Sequence, residues 1–310
     1  MTDDTARSGD SPSSTPGGPH RAGFLTFVGR PNVGKSTLMN ALVGEKVAIT
    51  SPKPQTTRRA IRGILTRPDG QLVIVDTPGM HRPRTLLGER LNDVVATTLA
   101  DVDVVGFCVP AGEPIGPGDR YLHGRLDSAK RAKRIAIVTK IDAVPKQRVA
   151  EQLLAVSELG DWAAVVPVSA VNRLQLDVLA DEALALMPES PRLYPDEEVT
   201  DESLEQRIAE LIREAALEGA REELPHSLAV TIDDMDTEDG LLRIYANVWV
   251  ERDSQRIIMI GKGGSRLKQV GTTARADIEP LVGSKVFLSL HVKVAKEWQR
   301  DPRALNRLGF

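Results

Sequence analysis

Eight consecutive residues near the start of the chain, Gly29-Arg30-Pro31-Asn32-Val33-Gly34-Lys35-Ser36, fit the spacing G-x-x-x-x-G-K-[ST]. Glycine at both ends lets the backbone curl until its N–H groups point inward and form a nest for an anion. Lys35 can then reach the β- and γ-phosphates of a nucleotide, and the Ser36 hydroxyl can hold Mg²⁺. Such a loop works only between a strand and a helix. Phe24 to Val28 is a short apolar run of strand formers, and Ser36 to Val43 can form the helix whose N-terminus adds partial positive charge.

Three further segments place polar chemistry at the ends of apolar runs. Leu72-Val73-Ile74-Val75 ends in Asp76-Thr77-Pro78-Gly79, putting a carboxylate where α/β sheets bind ligands. There Asp76 can hold Mg²⁺ through water, and Gly79 can offer its N–H to a γ-phosphate. Ile135 to Val138 runs into Thr139-Lys140-Ile141-Asp142, and Val165 to Val168 into Ser169-Ala170-Val171. A carboxylate at Asp142 can accept hydrogen bonds from N1–H and the 2-amino group of guanine, a donor pair adenine lacks. The Ala170 N–H could meet guanine O6, and the Lys140 stem could lie over the base.

The elements needed to carry these segments alternate. Ala60 to Thr66 and Leu72 to Val75 read as a hairpin. Helices are predicted at Leu86–Leu99, Asp119–Lys130, Lys146–Leu159 and Leu174–Leu186, between strands at Val102–Val109, Ile135–Val138 and Val165–Val168. That alternation predicts a doubly wound, mostly parallel α/β sheet of the P-loop NTPase class with one antiparallel edge.

The 310 residues suffice for two domains, and the net charge of −3 confines any nucleic-acid surface to a local patch. The single cysteine, Cys108, excludes an intrachain disulfide; lying in an apolar run, it reads as a buried, inert thiol suited to a reducing compartment. Asp3 and Asp4 stand where a signal peptide would be basic, and no apolar run is long enough to span a bilayer. Residues 1–21, rich in Ser, Pro and Gly, are expected to be a disordered tail before a nucleotide domain over 22–188.

The loop G-R-P-N-V-G-K-S, the segment Gln55-Thr56-Thr57-Arg58 and Asp76-Thr77-Pro78-Gly79-Met80 together resemble TRAFAC-class GTPases, and within them the Era and tRNA-modification branch. The resemblance implies GTP/GDP and Mg²⁺ as cofactors, a first switch at Gln55–Arg59, and a Thr57 that joins Ser36 and Asp76 at the metal. It places Met80 where Ras-like proteins carry the glutamine that orients water; a thioether cannot do so, which predicts slow intrinsic hydrolysis. Asn32 matches an asparagine that helps bind K⁺ in potassium-activated relatives, and otherwise shapes the loop. Thr139 departs from the usual N-K-x-D, its hydroxyl offering only part of an amide's hydrogen bonding.

Residues 189–202 are proline-rich and read as a linker. Beyond them the sequence predicts a helix over Ser203–Glu222, strands over Ser227–Asp233 and Leu241–Val250, a helix ending at Ile260, a helix over Arg266–Glu279 and a strand over Lys285–Val294. This α-β-β-α-α-β order over 203–300, with Ile260-Gly261-Lys262-Gly263-Gly264 between adjacent helices, resembles a type II KH domain of α+β class. Such a loop clamps the backbone of single-stranded RNA. Arg266 and Lys268 follow it, within a stretch from Ser254 to Arg300 that is clearly basic, whereas Asp196 to Gly240 is strongly acidic. A cationic patch of this kind reads as a phosphate footprint. Aromatic residues make up only 4% of the chain, which disfavours modules that stack bases on rings. Residues 301–310 are expected to be a tail.

The resemblance also implies binding of the 3′ end of 16S ribosomal RNA, a role in maturing the small ribosomal subunit, and a monomer in the cytoplasm. It further implies peripheral contact with the inner face of the cell membrane, for which Lys293, Lys296 and Arg300 supply charge. A metabolic phosphotransferase and a non-catalytic RNA-binding module are the rival readings of the same motifs.

Overall fold

The computed structural model describes residues 19–51, 53, 56–79, 85–129, 131–220 and 227–310. The N-terminal half is a six-stranded sheet in the order β2-β3-β1-β4-β5-β6. Its strands are β1 (Arg21–Val28), β2 (Ile61–Arg67), β3 (Gly70–Asp76), β4 (Val104–Pro110), β5 (Lys133–Thr139) and β6 (Ala164–Pro167). All pairings are parallel except that of β2 with β3. Every residue of β3 and β4 is buried, as helices on both faces of a parallel sheet require.

The helices are α1 (Lys35–Val43), α2 (Leu86–Asp101), α3 (Pro117–Arg125), α4 (Lys146–Ser157) and α5 (Leu176–Ala185). Leu38, Met39 and Leu42 of α1 pack with Leu179 and Ala183 of α5 beneath one face of the sheet. Val95 and Leu99 of α2, Leu122 of α3 and Val156 of α4 cover the other. Doubly wound α/β architecture, read from the alternation, is what the chain adopts. The expected tail ends earlier than residue 21, because β1 begins at Arg21, paired with Gly70.

The second half places α6 (Leu204–Leu217), α7 (Asp253–Ile260) and α8 (Ser265–Val282) on a sheet β7-β8-β9 of Ala229–Glu238, Leu241–Val250 and Val286–Val294. Ser203 caps α6, its hydroxyl accepting the Gln206 N–H while the Gln206 side chain accepts the Ser203 N–H. Ile208 and Ile212 of α6, Ile244 and Val248 of β8, Met259 of α7 and Val270 and Ile278 of α8 form the second core.

Three expectations are corrected. β7 continues to Glu238 through an irregularity between Ile232 and Asp234, and the turn shrinks to Asp239-Gly240, both at positive φ (53° and 77°). A hairpin turn of two left-handed residues matches strand twist, so pairing with β8 carries a polar acidic run that lacks alternation. Residues 189–202 are not a free linker: Gln71 Oε1 accepts the N–H groups of Leu193 (2.8 Å) and Tyr194 (3.0 Å), and the Ile64 N–H reaches Val199 O (2.9 Å). Residues 301–310 are not a tail either. They fold as α9 (Pro302–Arg307), and Leu305, Leu308 and Trp298 pack on Leu87 and Leu91 of α2. The first half of the molecule therefore meets the second through the elements that follow its phosphate loop.

Candidate nucleotide and RNA sites

Four segments singled out in the sequence leave the same end of the first sheet. Gly29 follows β1, Asp76 closes β3, Thr139 closes β5, and Ser169 lies just beyond β6. A side chain at Gly29 would meet Cys108 O at 2.6 Å and Val33 at 2.9 Å. Gly34 has φ of 102°, a conformation that favours glycine, and α1 starts immediately after it. The loop is thus curled as an anion nest requires. Lys35 Nζ donates to the carbonyls of Gly29 (3.0 Å) and Arg30 (3.1 Å), so its ammonium lies across the loop. Desolvation holds that ammonium below its ordinary value against the pull of Asp76. Arg30 itself is turned away, bound to Asp119 (2.8 Å) in the first turn of α3 and to Glu113 (2.9 Å) in the loop before it.

Three oxygens converge beside Lys35. Ser36 Oγ donates to Asp76 Oδ2 at 2.6 Å, Thr57 Oγ1 to the same oxygen at 2.8 Å, and the two hydroxyls are 3.3 Å apart. Asp76 is fully buried, its other oxygen Oδ1 has no hydrogen-bond partner among the described residues, and desolvation raises its carboxyl above the usual range. Hard oxygen donors grouped around a buried carboxylate suit a small divalent cation, and Mg²⁺ fits this set. Cys108 nearby is inert, its thiol pushed up by burial to about 12.

Asp142 sits one turn past β5. Ser169 Oγ donates to its Oδ1 at 2.5 Å, which orients the exposed carboxylate. Lys140, at φ of 57°, sends Nζ to Asn32 O at 2.6 Å. The Thr139 hydroxyl donates to Val33 O at 2.7 Å and ties the end of β5 to the phosphate loop. These contacts bring the loop and the 139–142 segment together. Val171 is 76% exposed beside Ala170, which packs on the core edge. Gln55 and Met80 lie outside the described residues; Thr77 is buried, and Pro78 and Gly79 follow it beside Pro31.

In the second domain, Gly261-Lys262-Gly263-Gly264 forms a tight turn between α7 and α8. Gly261 has φ of 75°, and a side chain there would meet Arg266 Cβ at 2.8 Å. Gly263 opens on space, and Lys262 and Lys268 are exposed. Ile257 and Ile258, on α7 before Ile260, are 72% and 55% exposed, an apolar rim beside the turn. Arg266 departs from the expected role: its guanidinium donates to the carbonyls of Ala216 (3.2 Å) and Glu218 (3.3 Å), closing the C-terminus of α6. The acidic edge of this sheet is β7, and β9 with Lys293 lies on the far side of β8.

The contacts that join the two halves were missed by the motif reading. Arg213 of α6 pairs with Glu210 through Nε (3.0 Å) and Nη2 (2.6 Å), and Nη2 also donates to Thr56 O. Burial alone would raise the Glu210 carboxyl, but Arg213, with Arg59 and Arg58 close by, carries it below the usual range. Arg58 is buried, donates to Leu228 O at 2.6 Å, and lies 5.8 Å and 5.9 Å from the ring centres of Trp298 and Phe310. A signal existed: Leu211 to Leu217 is largely apolar around the whole helix, and an arginine inside such a stretch needs a buried partner.

Known proteins match both halves. A family model described as a 50S ribosome-binding GTPase matches residues 24–140, and a KH-domain model matches residues 223–299. The chain is 61% identical to GTPase Era of Mycobacterium sp. (strain JLS), over 94% of this chain and 99% of that protein. It is 58% identical to GTPase Era of Streptomyces coelicolor, over 94% and 95%. A crystal structure of Era in complex with MgGDPNP and nucleotides 1506–1542 of 16S ribosomal RNA matches with a TM-score of 0.89 at 35% identity, covering 93% of this chain and 98% of that one. An Aquifex aeolicus Era variant bound to GDP and AlF4⁻ also gives 0.89, at 34% identity, over 93% and 99%.

Proposed function

The chain belongs to the Era family of GTPases, and from that premise we propose a switch in which bound GTP sets the grip of the KH domain on the 3′ end of 16S ribosomal RNA during small-subunit maturation. One observation carries this reading. Thr57, whose hydroxyl meets Asp76 and Ser36, lies between two residues held by the other domain, Thr56 by Arg213 and Arg58 by Leu228, Trp298 and Phe310. A segment that senses the γ-phosphate and Mg²⁺ while it is docked on the RNA-binding domain gives each ligand a differential contact with the other's state.

In this reading the nest from Gly29 to Ser36 binds the phosphates, and Lys35 neutralises charge on the β- and γ-oxygens. Ser36, Thr57 and Asp76 would hold Mg²⁺, which when bound supplies charge neutralisation at the reacting phosphate. Gly79 offers its N–H, Asp142 selects guanine, and the 261–264 turn receives the RNA backbone. The seat of the protein is the cytoplasm, as a monomer; the exposed Lys293, Lys296 and Arg300 suit peripheral contact with an anionic membrane.

RNA crosslinking in cells tests the partner. Contacts are expected to cluster at the 3′ end of the small-subunit RNA, and contacts spread without that cluster would overturn the assignment. Asn32, held at φ of 64° beside the phosphate nest, is a fit ligand for K⁺. Hydrolysis should run at least about tenfold faster in K⁺ than in Na⁺, and Asn32→Ala should abolish the difference. Equal rates in the two salts would leave Asn32 with only a loop-shaping role.

A further inference from the structure

The segment between α1 and β2 is gripped along its length by one helix of the other domain. Arg207, Glu210 and Glu214 recur at helical spacing on α6. They pair with Glu45 (3.7 Å), Arg59 (4.0 Å) and Lys46 (2.6 Å), and Glu214 also accepts the Thr50 N–H at 2.8 Å. At the centre is Arg213, 1% exposed, with Nη1 lacking a hydrogen-bond partner among the described residues. Stabilising α6 would not require burying a guanidinium with a donor left over. What Arg213 does achieve is a bond to one particular carbonyl, that of Thr56.

We propose that Arg213, a KH-domain residue, is a positioning residue for GTP hydrolysis: it fixes the Thr56 carbonyl, and with it the peptide plane that carries Thr57 to the metal site. The proposal rests on the reading of Thr57 as a metal contact. A trans peptide is planar, and its C=O and N–H point in opposite directions. Holding the Thr56 oxygen against Arg213 therefore aims the Thr57 N–H away from α6. The next residue is fixed as well, because Arg58 is anchored at Leu228 O and between the rings of Trp298 and Phe310. Thr57 is left with little freedom except at its own side chain, which already meets Asp76 and Ser36. The GTPase site is in this sense completed from outside its domain.

The test uses the full chain and three variants. Arg213→Met strands a buried carboxylate at Glu210 and endangers folding, so the double variant Glu210→Met/Arg213→Met, which removes both charges, is the principal one. Arg213→Lys keeps the charge on Glu210 without the planar fork. The readouts are GDP affinity, the rate of a single turnover, and the Mg²⁺ concentration giving half the maximal rate. Partners of metal-contacting groups change metal affinity or activity by about 10- to 100-fold, and that is the expected rise in the Mg²⁺ requirement and fall in rate for the double variant. GDP affinity should stay within about twofold, since GDP presents no γ-phosphate for the segment to sense. Arg213→Lys should recover part of the loss. A purely structural pin would shift thermal stability and leave the Mg²⁺ requirement where it was. Wild-type Mg²⁺ dependence and rate in the double variant overturn the proposal, as does the same result in Arg213→Lys if the double variant fails to fold. Failure of the unmodified chain to bind GDP would instead overturn the nucleotide reading beneath it.

Discussion

Replacing Asp142 by asparagine should lower affinity for GTP by about 10²- to 10⁴-fold and create binding of xanthosine triphosphate. The carboxylate offers acceptors to two guanine donors, N1–H and the 2-amino group. Hydrogen bonds to a charged group contribute about 1.5–3 kcal/mol each, so losing their match costs about 3–6 kcal/mol. Xanthine keeps N1–H and carries a carbonyl in place of the 2-amino group. An asparagine at 142 accepts from the first with its oxygen and donates to the second with its amide nitrogen. Ser169 Oγ lies 2.5 Å from Asp142 Oδ1 and would remain to orient the amide. Competition binding with the two triphosphates reads the exchange directly; loss of GTP binding with no gain for xanthosine triphosphate would mean that Asp142 supports the loop and does not read the base.

The double substitution Lys262→Asp/Gly263→Asp should abolish RNA binding, with a fall of at least about 100-fold, while guanine nucleotide is retained. Two carboxylates would face the phosphates of the bound strand in place of one ammonium and open space, and the electrostatic share of such binding is large. The sites are chosen on geometry. Gly261 cannot change without a clash at Arg266, whereas a side chain at Gly263 meets nothing within 4 Å, and aspartate tolerates its φ of 58°. Filter binding with a single-stranded RNA is the measurement. Undiminished binding would move the RNA site elsewhere in the domain.

How much of this was legible in the sequence depended on whether the signal was local. The strand, nest and helix around Lys35 are adjacent in the chain, and the glycines at 29 and 34 are demanded by the turn itself. The sheet followed from alternating apolar runs, because fully buried strands such as β3 and β4 advertise themselves. The second half of β7, Asp233 to Glu238, has no alternation to mark it and exists as strand only through its pairing with β8. The docking of α9 and Trp298 on α2 is a contact between residues some 210 positions apart, for which six or seven residues of sequence carry no periodic sign. Arginines were the least legible. Arg266 reads as an RNA contact and Arg58 as part of the first switch, yet they and Arg213 each turn inward to satisfy backbone carbonyls. Long side chains with five donors can do this from many backbone positions, so their partners are set by tertiary structure.

That inward turn gives the proposed coupling of the two sites a physical route. Desolvation, and then the neighbouring charge of Arg213, push the Arg58 guanidinium below its ordinary value, and Glu210 is the carboxylate that balances the pair. Buried charges held by so few partners are sensitive to small displacements, because separating them uncovers a desolvated ion. A shift of residues 56–58 on loss of the γ-phosphate would be such a displacement, and it would be felt at α6 and at Trp298 together.

The most direct test is the affinity of the full chain for an RNA oligonucleotide ending in the 3′ sequence of 16S ribosomal RNA, measured by fluorescence anisotropy at fixed salt with Mg²⁺. Binding is expected to be at least about fivefold tighter with GDPNP than with GDP, the lower bound of ordinary coupling between two sites. Identical affinity with the two nucleotides, at concentrations that saturate both, would contradict the account.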